Sequence, residues 1–243
     1  MNGMCSVLKR EVKAYFTTPV AYVFLVIFLF FSSFLTFQNG FYEARQATLW
    51  AFFANLPRLF LFLVPAIAMR LWAEERRTNS IELLLTLPIT VAQAVLGKFL
   101  AAWSVLGIAL ALTFPLVITV AWLGSPDPGP IITGYLASLL LAGVYLAIGS
   151  FFSALTRNQV VAFILAVVAC GLFLFAGSPT ALHYVSNILP MPLVEAMEAL
   201  SFQGHFDSLL RGVLEVGNVV FFAVIIAGAL WANVMVLEER RAA

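Results

Sequence analysis

Charge is the first thing that this sequence lacks. Asp, Glu, Lys and Arg make up 10% of its 243 residues, whereas a soluble domain carries about 25%. Hydrophobic residues make up 63%, which is more apolar surface than a core of this size can hide, so the solvent has to be lipid. An ordinary soluble domain is therefore excluded. A formal net charge of +1 and the lack of a basic tract give no sign of nucleic-acid binding.

Cysteine and histidine are scarce as well, with two of each. Cys5 and Cys170 have neither disulfide nor metal-site spacing, and two histidines are too few for a histidine-built metal centre. Sulfur and imidazole ligands suit copper, so a copper or zinc site in the segment 178–212 is one interpretation. The irregular spacing favours the other interpretation, ordinary helix packing. The side chains concerned are those of His183, Met191, Glu195, Met197, Glu198, His205 and Asp207.

Catalytic motifs are missing too. The chain has no G-x-x-x-x-G-K-[ST] phosphate loop and no polar domain to hold one, so nucleotide chemistry would have to come from a separate protein. It has no H-E-x-x-H motif, and the closeness of Ser201, His205 and Asp207 in sequence does not build a catalytic triad. We therefore expect that the chain is not itself an enzyme and binds no cofactor of its own.

Long apolar runs are what the sequence has instead. A membrane-spanning helix needs about 20 mostly apolar residues, and six runs satisfy this requirement, so the sequence predicts an all-α membrane protein with six spans. Pro57 and Pro65 are expected to break the second run. The runs cover Pro19–Phe37, Leu56–Trp72, Ala92–Leu123, Ile131–Leu155, Val160–Gly177 and Val213–Leu237.

The distribution of Lys and Arg predicts the orientation. If the N-terminus lies inside, only three of the 13 basic residues, Arg45, Arg58 and Arg211, lie outside. Both termini are therefore predicted to be cytoplasmic, and Ala73–Ile89 is predicted to face the cytoplasm. The basic residues on the inner side are Lys9, Arg10, Lys13, Arg70, Arg76, Arg77, Lys98, Arg157, Arg240 and Arg241.

Residues 4–18 precede the first span and carry an amphipathic pattern. Apolar residues recur at steps of three and four, while Lys9, Arg10 and Lys13 take the other side, which predicts a helix lying in the inner interface. The alternative is a plain basic flank that only fixes topology, and the apolar stripe argues against it. The stripe consists of Met4, Leu8, Val12, Tyr15 and Phe16.

A charged block, AEERRTNSIELLLTLPI, covers Ala73–Ile89. Asn79 and Glu82 have the spacing of a capping box, and Pro88 ends the short helix that they begin. The apolar side chains on this helix would be left in water in a cytoplasmic loop, which forgoes about 1.5–3 kcal/mol for each one that could be buried. They are Ile81, Leu83, Leu84, Leu85 and Leu87.

Two ways of burying this short helix remain open. It could lie in the lipid interface, or it could dock into a groove on a partner protein. The acidic pair Glu74 and Glu75 favours docking, because carboxylates suit a basic rim around a protein groove but gain nothing from an anionic leaflet. A solvated loop that only fixes topology would explain Arg76 and Arg77, but not the acidic pair or the leucines.

The outer segment and the last span carry further patterns. Leu189, Leu193, Met197 and Leu200 share one helical stripe, which predicts a short re-entrant or interfacial helix within Ser178–Gly212. Glu215, at the start of the last span, is a functional candidate by position, although an ion pair with Arg211 is the simpler account. Small-residue stripes, which let helices approach closely, could serve a subunit interface or packing within one subunit. They comprise Ala162, Ala166 and Cys170, and Gly143 and Ala147.

The order and spacing of these patterns resemble permeases of the type-2 ABC transporter class (ABC-2). The likeness runs from about Leu8 to Arg241. It is closest to the permeases associated with bacterial gliding motility, and copper-site maturation permeases of the nitrous-oxide reductase system are more distant. The segments that carry it are LKREVKAYFTTPVAYVF, MRLWAEERRTNSIELLLTLPITVAQAVLGKFLAA and LSFQGHFDSLLRGVLEVGNVVFF.

The resemblance implies one permease domain over residues 1–243, multi-pass in the bacterial inner (cytoplasmic) membrane. Two such subunits, identical or related, would each bind a cytoplasmic ABC ATPase, which would hold ATP and Mg²⁺. The loop 73–90 would carry a coupling helix that fits a cleft on the ATPase, and the segment 178–212 would form re-entrant helices that cap the pathway. The coupling helix would comprise Asn79, Ser80, Ile81, Glu82, Leu83, Leu84, Leu85 and Leu87. Its charged flank would comprise Glu74, Glu75, Arg76 and Arg77, contacting the ATPase or the interfacial helix.

The function implied is the coupling of ATP hydrolysis to export or to mechanical work across the membrane. The alternative is a membrane scaffold that anchors a periplasmic or gliding-type partner without transport. The gliding-associated likeness also implies a further membrane protein with a large periplasmic domain.

Overall fold

The computed structural model describes residues 3–38, 47–78, 89–178, 183 and 191–242, and the elements assigned within these ranges are eleven α-helices. The prediction of an all-helical protein is confirmed. In chain order the helices are α1 (Gly3–Thr17), α2 (Pro19–Gln38), α3 (Trp50–Ala68), α4 (Arg70–Arg77), α5 (Val91–Ala111), α6 (Phe114–Leu123), α7 (Pro128–Leu155), α8 (Gln159–Phe175), α9 (Met191–Ala199), α10 (Phe202–Leu210) and α11 (Val216–Ala242).

Five helical segments within the described ranges are long and apolar enough to cross a membrane. They are Pro19–Gln38, Trp50–Arg77, Val91–Leu123, Pro128–Leu155 and Val216–Glu239. The fifth predicted run corresponds to α8, which is apolar but has only 17 residues. A helix of that length extends about 26 Å, somewhat less than the roughly 30 Å of a hydrocarbon core.

The prediction that Pro57 and Pro65 break the second run is wrong. Helix α3 begins at Trp50, six residues before the predicted start, and continues through both prolines. Each proline removes one backbone hydrogen bond, but the surrounding helices bury most of this segment, and packing of that kind lets membrane helices keep internal prolines. The chain turns at Met69, whose N–H donates to the carbonyl of Pro65 at 2.9 Å, and α4 follows.

The third run contains a break that its apolar pattern does not show. Helix α5 ends at Ala111 and α6 begins at Phe114, with Pro115 in its first turn. The Thr113 hydroxyl donates to the Leu110 carbonyl at 2.6 Å and lies 2.9 Å from the Tyr135 hydroxyl. The Leu110 carbonyl also accepts from Thr113 N–H at 3.0 Å, so Thr113 closes the last turn of α5 at the break.

Helix α7 lies at the centre of the bundle. It packs against α3, α4, α5, α8, α10 and α11, and small residues along it let these neighbours approach. Both small-residue stripes are buried within this one chain, so they serve packing inside the subunit. Their exposed fractions are 0% for Ala162, 1% for Ala166, and 0% for Cys170 and Ala147, and Gly143 lies against Trp103 and Ile226.

Two short helices, α9 and α10, lie in the described part of the segment between α8 and α11. In α9 the buried residue is Val194, whereas Leu193 and Leu200 of the predicted stripe are exposed and Leu189 lies outside the described residues. Helix α10 is the better anchored one, because Phe202, Phe206, Leu209 and Leu210 are buried. Gly212 follows it with φ at +87° and lies against Pro130, which places α10 at the N-terminal end of α7.

Candidate functional site

The candidate site is the place where α1, α4 and the start of α5 meet at the C-terminal end of α7, and we refer to it as the junction. Residues 79–88 connect α4 to α5 here. The predicted coupling helix, Asn79–Leu87, lies outside the described residues, and so does the predicted capping box of Asn79 and Glu82. Its charged flank, Glu74, Glu75, Arg76 and Arg77, lies on α4 and is described.

Helix α5 begins with a capping box of its own. The Thr90 hydroxyl accepts from Gln93 N–H at 3.2 Å, and the Gln93 side-chain oxygen accepts from Thr90 N–H at 3.4 Å. The sequence T-V-A-Q carries this signature, so the pattern alone could have identified this cap. The cap sets the start of α5 at Val91.

Lys98 is the centre of the junction. Its side chain is buried (3% exposed), and its Nζ lies 2.7 Å from Glu75 Oε1 on α4 and 3.2 Å from Glu11 Oε1 on α1. The same ammonium lies 5.3 Å from the centre of the Trp72 ring, within the range of a cation–π interaction. One lysine therefore joins three helices. A buried ammonium is stable only with such partners, because desolvation otherwise opposes its charge.

The charge on Glu11 reflects this arrangement. Burial alone would raise the pKa of its carboxyl, but the positive charges of Lys98 and Arg10 outweigh burial and hold the pKa below its ordinary value. Arg10 Nη2 lies 2.8 Å from Glu11 Oε1 on the more exposed side of α1. Glu11 is thus ionised under neutral conditions and is paired with two cationic side chains, those of Lys98 and Arg10.

The close approach of α1 to α5 depends on Gly97. A Cβ at this position would lie 2.9 Å from Val7 Cβ and 3.2 Å from the Met4 carbonyl oxygen, so a larger residue would push α1 away. Val7 itself is buried, although the predicted apolar stripe omitted it. The amphipathic character of α1 holds, because Lys9, Arg10 and Lys13 are exposed.

Hydrogen bonds fasten α4 to α7. The Ser153 hydroxyl accepts from Trp72 N–H at 3.1 Å and from Ala73 N–H at 3.0 Å, and it donates to the Met69 carbonyl at 2.8 Å. It thereby satisfies backbone groups that the turn between α3 and α4 leaves open. Arg76 donates to the carbonyl of Ala154 in the last turn of α7, where a cation is favoured.

A second hydroxyl brings α11 into the same network. Ser150 on α7 accepts from Trp72 Nε1 at 3.2 Å and from Asn233 Nδ2 at 2.7 Å. Both Trp72 and Asn233 are buried. The start of α4 is therefore connected through side chains to the central helix and to the last one.

The remaining charges of α4 lie closer to solvent. Glu74 forms a double hydrogen bond with Arg70, at 2.9 and 3.3 Å, on its own helix. Both residues line a cavity of about 240 Å³ between α1, α2 and α4, together with Tyr15, whose pKa is raised by burial and by the Glu11 carboxylate. Arg77 is exposed at the end of α4. Of the four predicted flanking residues, Glu75 and Arg76 thus bond to other helices, and Glu74 bonds to Arg70 on its own helix.

Comparison with known proteins agrees with this architecture. A family model described as ABC-2 family transporter protein matches residues 6–237. No curated protein matches the chain. Because the match covers nearly the whole sequence, the chain belongs to the ABC-2 transporter family. It is a multi-pass membrane component of a transport system, not a catalytic subunit, and its family implies an ATPase partner.

Proposed function

We propose that this member of the ABC-2 family is the permease subunit of an ABC transporter, and that the junction receives the movement of a separate ATPase. The family match over residues 6–237 is the observation that carries the proposal. The ATPase would bind ATP and Mg²⁺ and would contact the segment 79–88. Two ATPase subunits and a second permease subunit would complete the transporter.

The contacts of α4 support a mechanical role for it. A displacement that enters at Thr78 meets a helix fastened to α7 by Ser153, to α11 through Ser150, and to α5 and α1 through Lys98. Because these partners hold α4 at several points, it moves with them as one body and does not bend away. In this scheme α1 moves together with the segment 79–88, which we call the coupling segment.

The proposed transporter has six crossings per subunit, with α8 as the fifth. The apolar residue Ala176 follows the 17 residues of α8, and a short hydrophobic stretch is accommodated by local thinning of the bilayer. Both termini would then lie on the cytoplasmic side of the bacterial inner membrane. A likeness to the gliding-motility-associated permeases adds a membrane partner with a large periplasmic domain to this scheme.

Substitution within the coupling segment tests the proposal. The double variant Leu84→Asp, Leu85→Asp should lose a co-purifying ATPase when the protein is isolated from its native membrane, because two carboxylates oppose burial in a protein cleft. Mass spectrometry of the purified complex, searched for a protein with a phosphate-loop motif, gives the readout. The matched control is Leu200→Asp, an exposed leucine beyond α9. Retention of the ATPase by the double variant contradicts the docking assignment.

A second measurement separates transport from anchoring. The complex is reconstituted in liposomes, and ATP hydrolysis is compared between complexes holding the native permease and the Lys98→Met variant. A coupled transporter should show altered hydrolysis when the junction is loosened. Hydrolysis that is identical in the two complexes, or absent from the intact one, would favour a scaffold.

A further inference from the structure

The cavity of about 240 Å³ between α1, α2 and α4 lies where the first span begins, and we refer to it as the interfacial cavity. On α1 it is lined by Glu11, Ala14, Tyr15 and Thr18, which recur at steps of three and four and therefore share one helical face. Thr18 directly precedes the span Pro19–Gln38. The interfacial cavity thus lies at the level where lipid headgroups meet the hydrocarbon core.

The lining of the interfacial cavity is amphipathic. Val20 on α2, Ile67 on α3 and Leu71 on α4 form apolar walls, and Arg70 and Glu74 on α4 supply charged groups beside them. A small polar solute would leave the apolar walls without a partner, whereas a membrane lipid brings a polar headgroup and apolar chains together. The lining therefore favours a lipid as the occupant.

The Arg70–Glu74 pair retains hydrogen-bonding capacity toward the cavity. Arg70 uses its Nε and Nη2 to reach Glu74, at 2.9 and 3.3 Å. A guanidinium has five N–H groups in all, and within the described part of the chain its Nη1 makes no hydrogen bond. The two side chains are 36% and 38% exposed, so a ligand can reach both the guanidinium and the carboxylate.

The Tyr15 hydroxyl is a further polar group of the interfacial cavity. Among the residues that the structure describes, none forms a hydrogen bond with it. Burial raises the pKa of this hydroxyl, and so does the Glu11 carboxylate. It therefore stays neutral under neutral conditions and is able either to donate or to accept.

The charges of the cavity select among headgroups. Three carboxylates and two cationic side chains line it, and Lys98 is already placed between two of the carboxylates. A headgroup that is only anionic would meet the Glu74 carboxylate, and like charges repel. A headgroup with a phosphate and an ammonium group complements both members of the Arg70–Glu74 pair. The lining carboxylates are Glu11, Glu74 and Glu75, and the cations are Arg70 and Lys98.

Hydrogen-bonding capacity distinguishes the two common headgroups of this kind. The primary ammonium of ethanolamine has three N–H donors, as a lysine ammonium has, whereas the quaternary ammonium of choline has none. Glu74 and Tyr15 offer oxygen atoms, which an N–H donor satisfies and a methyl group does not. A site with such acceptors discriminates against the ligand that lacks the donor.

We propose that the interfacial cavity binds the headgroup of phosphatidylethanolamine, with the phosphate on Arg70 and the ammonium on Glu74 and Tyr15. Arginine suits the phosphate, because its fork of N–H groups matches phosphate oxygens. The acyl chains continue along Val20 and Ile67 into the bilayer. The lipid thereby connects α1 to α4 at a second point beside Lys98, independently of whether an ATPase docks.

Native mass spectrometry of the delipidated full-length chain tests the proposal. The chain is mixed with equal concentrations of phosphatidylethanolamine, phosphatidylcholine and phosphatidylglycerol that have identical acyl chains. One phosphatidylethanolamine should be retained on the order of tenfold more than either other lipid, as expected for hydrogen bonds between charged groups. Equal retention of the three lipids, or a preference for phosphatidylglycerol, would overturn the proposal.

Charge variants test the assignment of the two headgroup contacts. Glu74→Gln and Arg70→Gln should each lower retention of phosphatidylethanolamine toward that of phosphatidylcholine. The matched control is Glu238→Gln, which removes an exposed carboxylate of α11 outside the cavity and should keep the preference. A preference that survives both cavity variants contradicts the assignment.

Obstruction of the cavity tests its location without removing a charge. Ala14 is exposed and lines the cavity, so Ala14→Trp should fill the space and abolish the preference, whereas Thr17→Trp, at an exposed position that does not line it, should not. Retention of the preference by Ala14→Trp would overturn the location.

A competition experiment tests whether the ligand is a lipid. Soluble phosphoethanolamine at the same concentration should leave the lipid adduct unchanged, because it lacks the chains that cover Val20 and Ile67. Displacement of the adduct would assign the site to a soluble ligand and overturn the lipid assignment. All these measurements use the chain without an ATPase, so their failure is distinct from a failure of the proposed function.

Discussion

The two ends of the bundle use polar side chains in different ways. At the junction, Lys98 is buried between two carboxylates, those of Glu11 and Glu75. At the other end, the imidazole of His205 lies between two oxygen atoms, the amide oxygen of Asn218 and the carbonyl oxygen of Ala199. Both residues join three helices. The comparison teaches that one side chain can connect three helices either through buried ion pairs or through hydrogen bonds to neutral oxygen atoms.

Removing Lys98 should give the largest effect. Lys98→Ala leaves Glu11 and Glu75 without their common partner, and breaking a buried ion pair costs about 3–5 kcal/mol when the remaining charge stays buried. Because the two carboxylate side chains retain 16% and 20% exposure, we expect the lower end of that range. The rate of alkylation of Cys5 on α1 measures the release, and Lys13→Ala, at an exposed position, is the control. Unchanged alkylation would show that α1 is held by other contacts.

Enlarging Gly97 should have a somewhat smaller effect on the same helix. Gly97→Ala places a Cβ 2.9 Å from Val7, and overpacking of this kind costs about 1–3 kcal/mol. Cys5 alkylation should again accelerate. The matched control is Gly228→Ala, where no atom lies within 4 Å of the added Cβ. If Gly97→Ala behaves like this control, the close approach of α1 to α5 is not needed to hold α1.

The Ser153 hydroxyl holds α4 against α7 at the junction through hydrogen bonds between uncharged groups. Ser153→Ala leaves the N–H groups of Trp72 and Ala73 without this acceptor, and an unsatisfied buried donor costs about 1–3 kcal/mol. Thermal unfolding in detergent measures the loss. Ser104→Ala removes only a bond to Ala101 on its own helix and should change the midpoint little. A similar shift in both variants would assign no special role to Ser153.

Acid should loosen the junction, although by the smallest amount. The pKa of Glu11 lies below its ordinary value, so its contribution to stability is present above that value and is lost as pH falls through and below it. Hydrogen exchange of α1, corrected for intrinsic rates, should therefore accelerate at low pH, and Glu11→Gln should abolish the dependence. Unchanged exchange of α1 at low pH would show that the Glu11 carboxylate does not hold this helix.

The local patterns of the sequence predict most of the fold. Apolar runs of the required length identify α2, α7 and α11, and the basic face of α1 identifies its amphipathic character. These features depend on neighbours along the chain. The course of α3 through Pro57 and Pro65 depends on other helices instead, because their packing compensates for the two missing hydrogen bonds.

The candidate site is less accessible to sequence reasoning, for the same reason. The charged block of α4 stands out in an apolar chain, but partners of this helix are distant in sequence: Arg76 bonds to Ala154, 78 residues away, and Ser153 lies 81 residues beyond Trp72. A single sequence contains no periodicity that connects them. The residue types around His205 suggest a metal ligand or a triad member, and no spacing in the sequence indicates its contact with Asn218.

Helix α11 carries a polar anchor near each end. Asn218 bonds to His205 and Glu215, and Asn233, fifteen residues later and about 22 Å away along the axis, bonds to Ser150 beside α4. Thermodynamic linkage between two sites is reciprocal. A displacement of α11 that strains the contacts of one anchor therefore changes the free energy of the contacts at the other, and each end of the helix sets part of the equilibrium position of the opposite end.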